Sequence, residues 1–509
     1  MRRFITITLL FCRLWSTDFC ALAQQRQPSS STREELYLDA MHRYITSDKL
    51  FGYVARFSDS IYRGRLVGTQ AMAFATAELE TYFSRFGLLP AGTKGYLQEY
   101  PNPSVEIGPH SDMSVLFPIT QDKAKSPVWI EKTYPWAEGW FAGNYSGNGE
   151  VEAEVVYAGF GVSAPELGYD DYKGIDVQGK IVLIEGETPN RSRTPEDIAK
   201  WYKHTLHQTK METAAKNGAV GMLYKWVPGP NSLYNPDFLY CHVTDMVVDE
   251  LFLGTGKTYP QTVSQIYETL KPASFNTGKR AKMTIESTCN PLATGKNLLG
   301  IIKGSDPNLA DEYIVISAHF DHLGMIPWHI AGSNDNLSCT AVILGIAEAL
   351  SRAEVKPKRS ILFFSVDGEE AGLTGSLHFT QYPVVPKEQI KAIINLEQLG
   401  AGERFGASYA YNFPGFAPYV KKANDQYVHR RLNLSSTTYL PRPRTDGAVF
   451  MKAGYPCVDV RATGGGYYHH PLDNPDSINP ETLQAAANWL YWLIILMADD
   501  EALDLIVQP

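Results

Sequence analysis

The chain has 509 residues, of which 44% are hydrophobic and 20% charged, and its formal net charge is −9 at pH 7. This length is large for one hydrophobic core, so we expect two or more domains in a protein of ordinary globular composition. The acidic balance and the lack of runs rich in Lys or Arg exclude a typical nucleic-acid-binding protein, so no nucleic-acid partner is expected.

The N-terminal segment has the pattern of an export signal. Arg2 and Arg3 precede an apolar stretch over residues 4–12, and the small residues 21–23 (ALA) fit a cleavage site. This pattern predicts a signal peptide over residues 1–23 and therefore an exported protein, either periplasmic or extracellular.

The rest of the chain shows neither a membrane span nor a disulfide scaffold. Its longest late apolar run, Trp489–Ala498, has ten residues. This run is too short to cross a bilayer and predicts a buried helix. The four cysteines beyond the signal peptide are too few and too scattered to form a disulfide scaffold. Two alternatives stay open: a Cys241–Cys289 bridge or isolated buried thiols.

Three segments follow, and each has its own pattern. Residues 24–110 carry apolar residues at helical spacing, interrupted by the Gly-containing loop RGRLVGT, and are predicted as a helical part of the last domain. Residues 111–290 are rich in Gly, Pro, Tyr and short β-like runs, which predicts an inserted β-rich domain. In residues 291–509 apolar strands alternate with helices. This alternation indicates an α/β fold with a mixed, mostly parallel central sheet flanked by helices.

Polar side chains follow the apolar runs of the last segment. In α/β sheets, ligands bind beyond the carboxyl ends of the strands, so these side chains are candidates for one site. The run YIVISA, for example, is followed by His319. Candidates that can bind a metal occur at five places: His319, Asp335, Glu369 or Glu370, Glu397, and His469 or His470.

Imidazole and carboxylate groups are the ligands that suit zinc. One catalytic zinc needs three protein ligands, whereas five candidates suit two zinc ions. The neighbouring pair Glu369 and Glu370 fits this interpretation. One glutamate binds a metal, two nearby cations reduce the repulsion between the carboxylates, and the other glutamate is free to take a proton from a water.

The motifs HFD, GSNDN, DGEEAGLTGS, NLEQLG and YYHHPLDNPD occur in this order. Together they resemble the co-catalytic di-zinc exopeptidases, a family that includes aminopeptidase Y, bacterial leucine aminopeptidases and glutamate carboxypeptidases. The resemblance implies a metallopeptidase with two Zn²⁺ ions that removes terminal residues from peptides or dipeptides. A zinc-bound hydroxide would be its nucleophile.

The resemblance also implies roles for the five candidate ligands. His319 and Glu397 would bind one zinc, Glu370 and His469 would bind the other, and Asp335 would bridge both. In the motif YHHP, the ligand aligns with the first of the two adjacent histidines, His469.

Three further residues receive catalytic roles from the same resemblance. Glu369 would be the general base that activates the water. Asp321 would hold the His319 ring and fix which nitrogen faces the metal. Tyr468 would donate a hydrogen bond to the tetrahedral oxyanion.

Two features are assigned no role. His322 and His329, near the first motif, are expected to be loop residues and not ligands. The segment TDGAVFMKAGYP resembles a loop that usually carries SDH, but Gly447 stands in place of the histidine.

The inserted segment has a resemblance of its own. VVYAGFGVSAPELGYDDYKGIDVQGKIVLIEGE, followed by KMETAAKNGAVGMLYKW, resembles the protease-associated domain. In related exopeptidases this domain is inserted before the zinc-binding strands and can overhang the site, and the resemblance implies the same arrangement here.

An aminopeptidase is the favoured activity, because an acidic site can hold a substrate ammonium group. A glutamate-type carboxypeptidase stays open, since Arg442, Arg444 and Arg461 are candidates for binding a terminal carboxylate. Two alternatives on the same fold are a single-zinc glutaminyl cyclase and a non-catalytic binding module. The sequence does not specify the oligomeric state.

Overall fold

The computed structural model describes residues 31–119, 128–192, 194–229, 233–437 and 444–506. Two large sheets with helices on their faces form the framework of these residues. The predicted signal peptide, residues 1–23, lies outside the described residues and stays a prediction.

Helices and strands alternate along much of the described chain. The helices are α1 (Arg33–Tyr44), α2 (Ser47–Phe57), α3 (Gln70–Phe86), α4 (Pro195–Trp201), α5 (His207–Lys216), α6 (Asp245–Phe252), α7 (Tyr259–Thr269), α8 (Ser338–Arg352), α9 (Thr374–Gln381), α10 (Phe416–Tyr427), α11 (Asp446–Lys452) and α12 (Pro480–Asp499). The strands are β1 (Leu89–Pro90), β2 (Leu97–Pro101), β3 (Ser104–Ile107), β4 (Asp112–Pro118), β5 (Trp129–Thr133), β6 (Trp140–Ala142), β7 (Gly149–Tyr157), β8 (Ser163–Ala164), β9 (Tyr169–Asp170), β10 (Ile181–Glu185), β11 (Gly221–Lys225), β12 (Leu239–Val243), β13 (Phe275–Ile285), β14 (Ser287–Asn290), β15 (Thr294–Ile302), β16 (Tyr313–His319), β17 (Ser360–Val366), β18 (Ile390–Glu397), β19 (Arg404–Ala410), β20 (Arg431–Thr437) and β21 (Cys457–Thr463).

The larger sheet is built mainly from the apolar runs of the last segment. Its strand order is β1-β15-β17-β16-β18-β21-β19-β20, and β2 also pairs with β15. The central strands β17, β16, β18 and β21 are parallel. Antiparallel pairs flank this centre on both sides, β15 with β17 and β19 with β21. The predicted α/β fold with a mixed central sheet is therefore confirmed.

Helices cover both faces of this sheet because its strands are apolar on both sides. On β16, Ile314 and Ile316 belong to the core that contains residues of α1, α2, α3, α8, α10 and α12. The residue between them, Val315, belongs to the opposite core, which contains residues of α9 and α11. This alternation is the two-residue periodicity of a strand.

The C-terminal apolar run is a buried helix, as predicted. Trp489 of α12 is fully buried, and its ring stacks on Phe405 with centroids 4.9 Å apart. No helix in the described residues combines the length and the apolar character that a bilayer crossing requires.

The inserted segment forms the second sheet, in the order β5-β4-β13-β7-β10-β11-β12-β6. Four helices, α4 to α7, lie in the same segment, so it contains more helix than its β-like runs suggested. The antiparallel ribbon of β3 and β14 lies where the chain enters and leaves this segment. Leu323, Ile330 and Ala371 of the other domain belong to its apolar core, so the two domains pack tightly.

All four cysteines of the described residues are free thiols. Cys241 is buried in β12, whereas Cys289 lies half-buried in β14. Of the two alternatives left open by the sequence, the structure has the isolated thiols.

Candidate active site

The parallel strands of the larger sheet bring distant polar residues to one edge. β16 ends at His319, which is paired in register with Val366, the last residue of β17. β18 ends at Glu397, and the loops after β17 and β21 carry Glu370 and His469. Because parallel strands end at the same edge, these side chains converge.

Three of the predicted ligands form a first donor group. His319 Nε2 lies 3.2 Å from Asp335 Oδ1 and 3.8 Å from Glu397 Oε2. All three side chains are buried. Asn395 Nδ2 donates to Glu397 Oε1 at 3.0 Å, which leaves Oε2 facing His319.

A second donor group lies on the other side of Asp335. His469 Nε2 is 3.4 Å from Asp335 Oδ2 and 3.0 Å from Glu370 Oε1. The Nδ1 atom of His322 is 2.9 Å from the same Glu370 oxygen. Within each group, the donor atoms lie within 4.8 Å of one another. Asp335 therefore presents one carboxylate oxygen to each group.

The loop that carries Asp335 is fixed by a neighbouring carboxylate. Residues Ser333–Leu337 form a tight turn directly before α8. Asp473 accepts hydrogen bonds from the main-chain N–H groups of Asn334 and Asp335, at 2.7 and 3.0 Å. Because Asp473 follows His469 in the same loop, these bonds tie two ligand-bearing loops together.

One carboxylate also holds the two adjacent glutamates. Asp321 Oδ1 accepts the main-chain N–H of Glu369, and its Oδ2 accepts that of Glu370, both at 3.1 Å. Glu370 is buried in the second donor group, whereas Glu369 is only partly buried. The neighbours thus occupy different surroundings, which the proposed division of roles requires.

Main-chain carbonyl groups orient both predicted histidine ligands. The Nδ1 atom of His319 lies 3.1 Å from the carbonyl oxygen of Asp321 and 3.7 Å from its Oδ1. His469 Nδ1 contacts the carbonyl oxygen of Pro228, which belongs to the inserted domain. In the neutral ring, an Nδ1–H that donates to a carbonyl leaves the lone pair on Nε2, the nitrogen that faces the carboxylates.

Opposite charges at close range shift the pKa values in the second group. Burial alone would lower the pKa of His469, but Glu370 and Asp335 raise it to about 10. Burial alone would raise the pKa of Glu370, but His469 and His322 lower it to about 2. A proton on His469 therefore balances the neighbouring carboxylates, and a cation that binds here has to displace it.

The pKa of Glu369 is shifted upward, in contrast to that of its neighbour Glu370. Desolvation raises its pKa well above the usual value, and the nearby carboxylates of Glu370, Glu397 and Asp446 raise it further against the attraction of His319. A carboxylate with a raised pKa accepts a proton more readily near neutral pH, as a general base requires.

A fully buried arginine lies behind the donor groups. Arg65 Nε donates to the carbonyl of Phe320 at 2.8 Å, and its Nη1 donates to the carbonyls of Phe57 and Ala331 at 3.0 and 2.8 Å. Burial lowers the pKa of Arg65 to about 10, against the attraction of Asp321 and other carboxylates. Arg65 therefore joins the end of α2 to the connection between β16 and α8 and offsets buried negative charge, a role that its position in the loop RGRLVGT did not reveal.

A cavity of about 420 Å³ opens beside Glu369, and residues of both domains line it. Tyr202, Leu206, Tyr224 and Trp226 come from the inserted domain. The lining residues of the other domain include Leu373, Leu377, Arg444, Val449, Lys452 and Tyr468. A substrate in this cavity would contact both domains.

Tyr468 connects the cavity wall to the second donor group. Its ring stacks on that of His469, with centroids 3.7 Å apart, and the residue is 52% exposed. The side chain is therefore accessible from the cavity while its ring covers a predicted ligand.

The donor set fits zinc, which prefers imidazole nitrogen and carboxylate oxygen. The buried Nε2 atom of His469 has no hydrogen-bond partner among the described residues, although two carboxylates face it. A cation between these groups would satisfy the nitrogen lone pair and the carboxylates together.

The structure brings all five predicted ligands together and places Glu369, Asp321 and Tyr468 beside them; their roles remain predictions. His322, expected to be a loop residue and not a ligand, lies in a loop and is fully buried against Glu370. Gly447 leaves no room for a side chain, since a Cβ there would lie 2.5 Å from Asp459 Oδ1.

Comparison with known proteins identifies two domains of this chain. Residues 297–493 match Peptidase family M28, and residues 151–238 match the PA domain. The PA match precedes the M28 match, as the resemblance predicted. The predicted resemblance to this peptidase family and to a protease-associated domain placed before it is thereby confirmed.

Individual relatives agree with these matches. The glutamate carboxypeptidase 2 homolog of Caenorhabditis elegans is 25% identical over 490 residues, which cover 80% of this chain and 58% of that protein. The chain thus spans less than two thirds of this relative.

Solved structures show the same fold over nearly the whole chain. An aminopeptidase from Aneurinibacillus sp. strain AM-1 has a TM-score of 0.61 and 18% identity, with 92% of this chain and 98% of that chain covered. A zinc aminopeptidase from Bacillus subtilis has a TM-score of 0.58 and 17% identity, with 91% and 97% covered.

Proposed function

We propose, for a chain that carries a Peptidase family M28 domain, that the protein is a two-zinc exopeptidase and most simply an aminopeptidase. The observation that carries the proposal is the pair of buried donor groups that share Asp335, beside a cavity that Glu369 and Glu370 line. One group holds His319 and Glu397, and the other holds Glu370 and His469. A single-zinc glutaminyl cyclase would not need both groups.

The residues of the chain have separate tasks in the proposed reaction. Glu369 takes a proton from the attacking water and later delivers it to the departing amine. Tyr468 donates a hydrogen bond to the oxyanion that forms at the scissile carbonyl. Asp321 keeps both glutamates in place through their main-chain N–H groups. Bound zinc ions would polarise the carbonyl and make the water more acidic.

The charges around the cavity favour a substrate with a free amine. Glu369 and Glu370 line it, and their carboxylates attract an ammonium group. Arg444, the candidate for binding a carboxylate, is already paired with Glu187 of the inserted domain at 2.9 Å. Arg461 lies near Asp459, at 4.0 Å, and Arg442 lies outside the described residues.

A glutamate-type carboxypeptidase is the second candidate. Lys452 lines the cavity together with Arg444, so two cations are near the place where a terminal carboxylate could bind. An acidic substrate that displaced Glu187 from Arg444 would gain a charged hydrogen bond.

Localisation and domain boundaries complete the proposal. The pattern over residues 1–23 supports export to the periplasm or the extracellular space. The second sheet supports an inserted domain over residues 111–290, flanked by the two parts of the catalytic domain, 24–110 and 291–509.

A dipeptide assay tests which terminus the enzyme recognises. We expect the unblocked and C-amidated forms of an apolar dipeptide to be hydrolysed, and the N-acetylated form to be hydrolysed about 10- to 100-fold more slowly. Acetylation removes a charged hydrogen bond, worth roughly 1.5–3 kcal/mol. The measurement is kcat/KM for each form, with and without a chelator.

The opposite ranking, with the C-amidated form resistant, would identify a carboxypeptidase. A zinc-loaded protein that hydrolyses none of a broad set of unblocked peptides would contradict the peptidase proposal itself.

A further inference from the structure

His322 is a buried histidine that makes direct contact with a predicted metal ligand. It lies in the loop after β16, is fully buried, and places Nδ1 2.9 Å from Glu370 Oε1. The other ring nitrogen, Nε2, has no hydrogen-bond partner among the described residues. Within that part of the chain, Glu370 is thus the polar partner of this ring.

The surrounding structure fixes the position of His322. Its main-chain N–H donates to the carbonyl of Arg65 at 3.1 Å. Its ring packs edge-on against that of His469, with centroids 5.6 Å apart and planes at 72°. Gly332 leaves room for the ring, since a Cβ at that position would lie 2.5 Å from it. The main-chain hydrogen bond to Arg65, the packing against His469 and the space beside Gly332 therefore all favour this position of the His322 ring.

Two roles are compatible with this placement, direct metal ligation and a hydrogen bond to Glu370. His322 has a donor atom close to those of Asp335, Glu370 and His469. If all four residues bound one zinc, its tetrahedral shell would be full, whereas a catalytic zinc keeps one position open with three protein ligands. The observed separation of 2.9 Å is that of an N–H···O hydrogen bond.

We propose that His322 is a positioning residue of the metal centre, whose Nδ1–H donates to Glu370 Oε1 and holds that carboxylate toward His469 and Asp335. This inference rests on the proposed two-metal site. Hydrogen bonds to a charged acceptor are stronger and shorter than neutral ones. Partners of this kind that orient a metal ligand typically change metal affinity by 10- to 100-fold.

Three substitutions at this position separate a hydrogen-bond donor from other roles. In His322→Asn, the side-chain amide nitrogen can occupy roughly the place of Nδ1 and donate to Glu370. In His322→Gln, the amide lies one bond further out, near the place of Nε2. His322→Ala removes the donor altogether. The measurement is zinc binding at both sites by competition with a chromophoric chelator, with circular dichroism of each variant to confirm folding.

We expect His322→Ala and His322→Gln to bind the second zinc about 10- to 100-fold more weakly than the unmodified protein, with the first site unchanged. His322→Asn should retain most of that affinity. If His322→Ala does not fold, the comparison of Asn with Gln still tests the donor role.

Two results would overturn the inference. One is an unchanged affinity for both zinc ions in His322→Ala. The other is a folded His322→Asn that binds the second zinc as weakly as His322→Gln, which would favour direct ligation. Binding of fewer than two zinc ions by the unmodified protein would instead refute the proposed function, so the two failures are distinguishable.

Discussion

Glu369→Gln is expected to lower kcat by about 10²- to 10⁴-fold while both metal sites stay intact. The amide has nearly the same shape as the carboxylate but cannot take a proton from water, and general base catalysis contributes a factor of this size. Glu369 is not a member of either donor group, so its neutralisation removes no ligand atom. The measurements are kcat on an unblocked peptide and zinc content by mass spectrometry.

Glu388→Gln is the matched control for this substitution. Glu388 is exposed and lies in a turn directly before β18, so the same chemical change there should leave kcat unaltered. Full activity of Glu369→Gln with two bound zinc ions would remove Glu369 from the role of general base.

Asp335→Asn is expected to weaken zinc binding at both sites together and to abolish measurable hydrolysis. Asp335 presents Oδ1 to His319 and Oδ2 to His469, so it is the residue that the two donor groups share. Asparagine offers one oxygen and no charge. Since changes next to a ligand already reduce metal affinity by 10- to 100-fold, loss of the shared ligand should exceed about 100-fold at each site. Chelator competition measures both affinities.

In Asp335→Asn, the hydrogen bond between residue 335 and Asp473 should persist, because it is donated by the main-chain N–H of residue 335 and does not involve the substituted side chain. Thermal denaturation of the metal-free proteins checks this. Asp249→Asn, at an exposed position of α6, provides the control and should bind zinc normally. Loss of one zinc alone in Asp335→Asn would contradict the bridging role.

Much of the site could be predicted because its residues follow strong local patterns. The apolar runs at the centre of the larger sheet are parallel strands, so the first polar residues after them lie at the same carboxyl edge. His319 and Glu397 are the last residues of their strands, as this reasoning requires. The buried α12 was predictable for a similar reason, since a ten-residue apolar run must be covered by other parts of the chain.

Other parts of the site carry no such pattern. His322 lies in an irregular loop, where neither helical nor strand periodicity indicates which side chains are buried. The role of Arg65 depends on main-chain carbonyls at the end of α2 and in the connection between β16 and α8. Because every residue type has the same carbonyl group, no sequence pattern indicates these contacts.

The contribution of the inserted domain to the site could not be predicted either, because it is also made by a main-chain carbonyl group. Its contact with His469 is made by the carbonyl of Pro228, which is more than two hundred positions away along the chain. A motif search finds side chains, whereas this contact depends on how the two domains pack. The charged pair of Glu187 and Arg444 likewise appears only once both domains are in place.

The most direct test of the account is a crystal structure of the zinc-loaded protein with anomalous diffraction at the zinc edge. We expect two peaks, one beside His319 and Glu397 and one beside Glu370 and His469, each about 2.0–2.2 Å from an oxygen of Asp335. A single peak, or none near Asp335 in protein loaded with excess zinc, would contradict the shared two-metal centre on which the proposed chemistry depends.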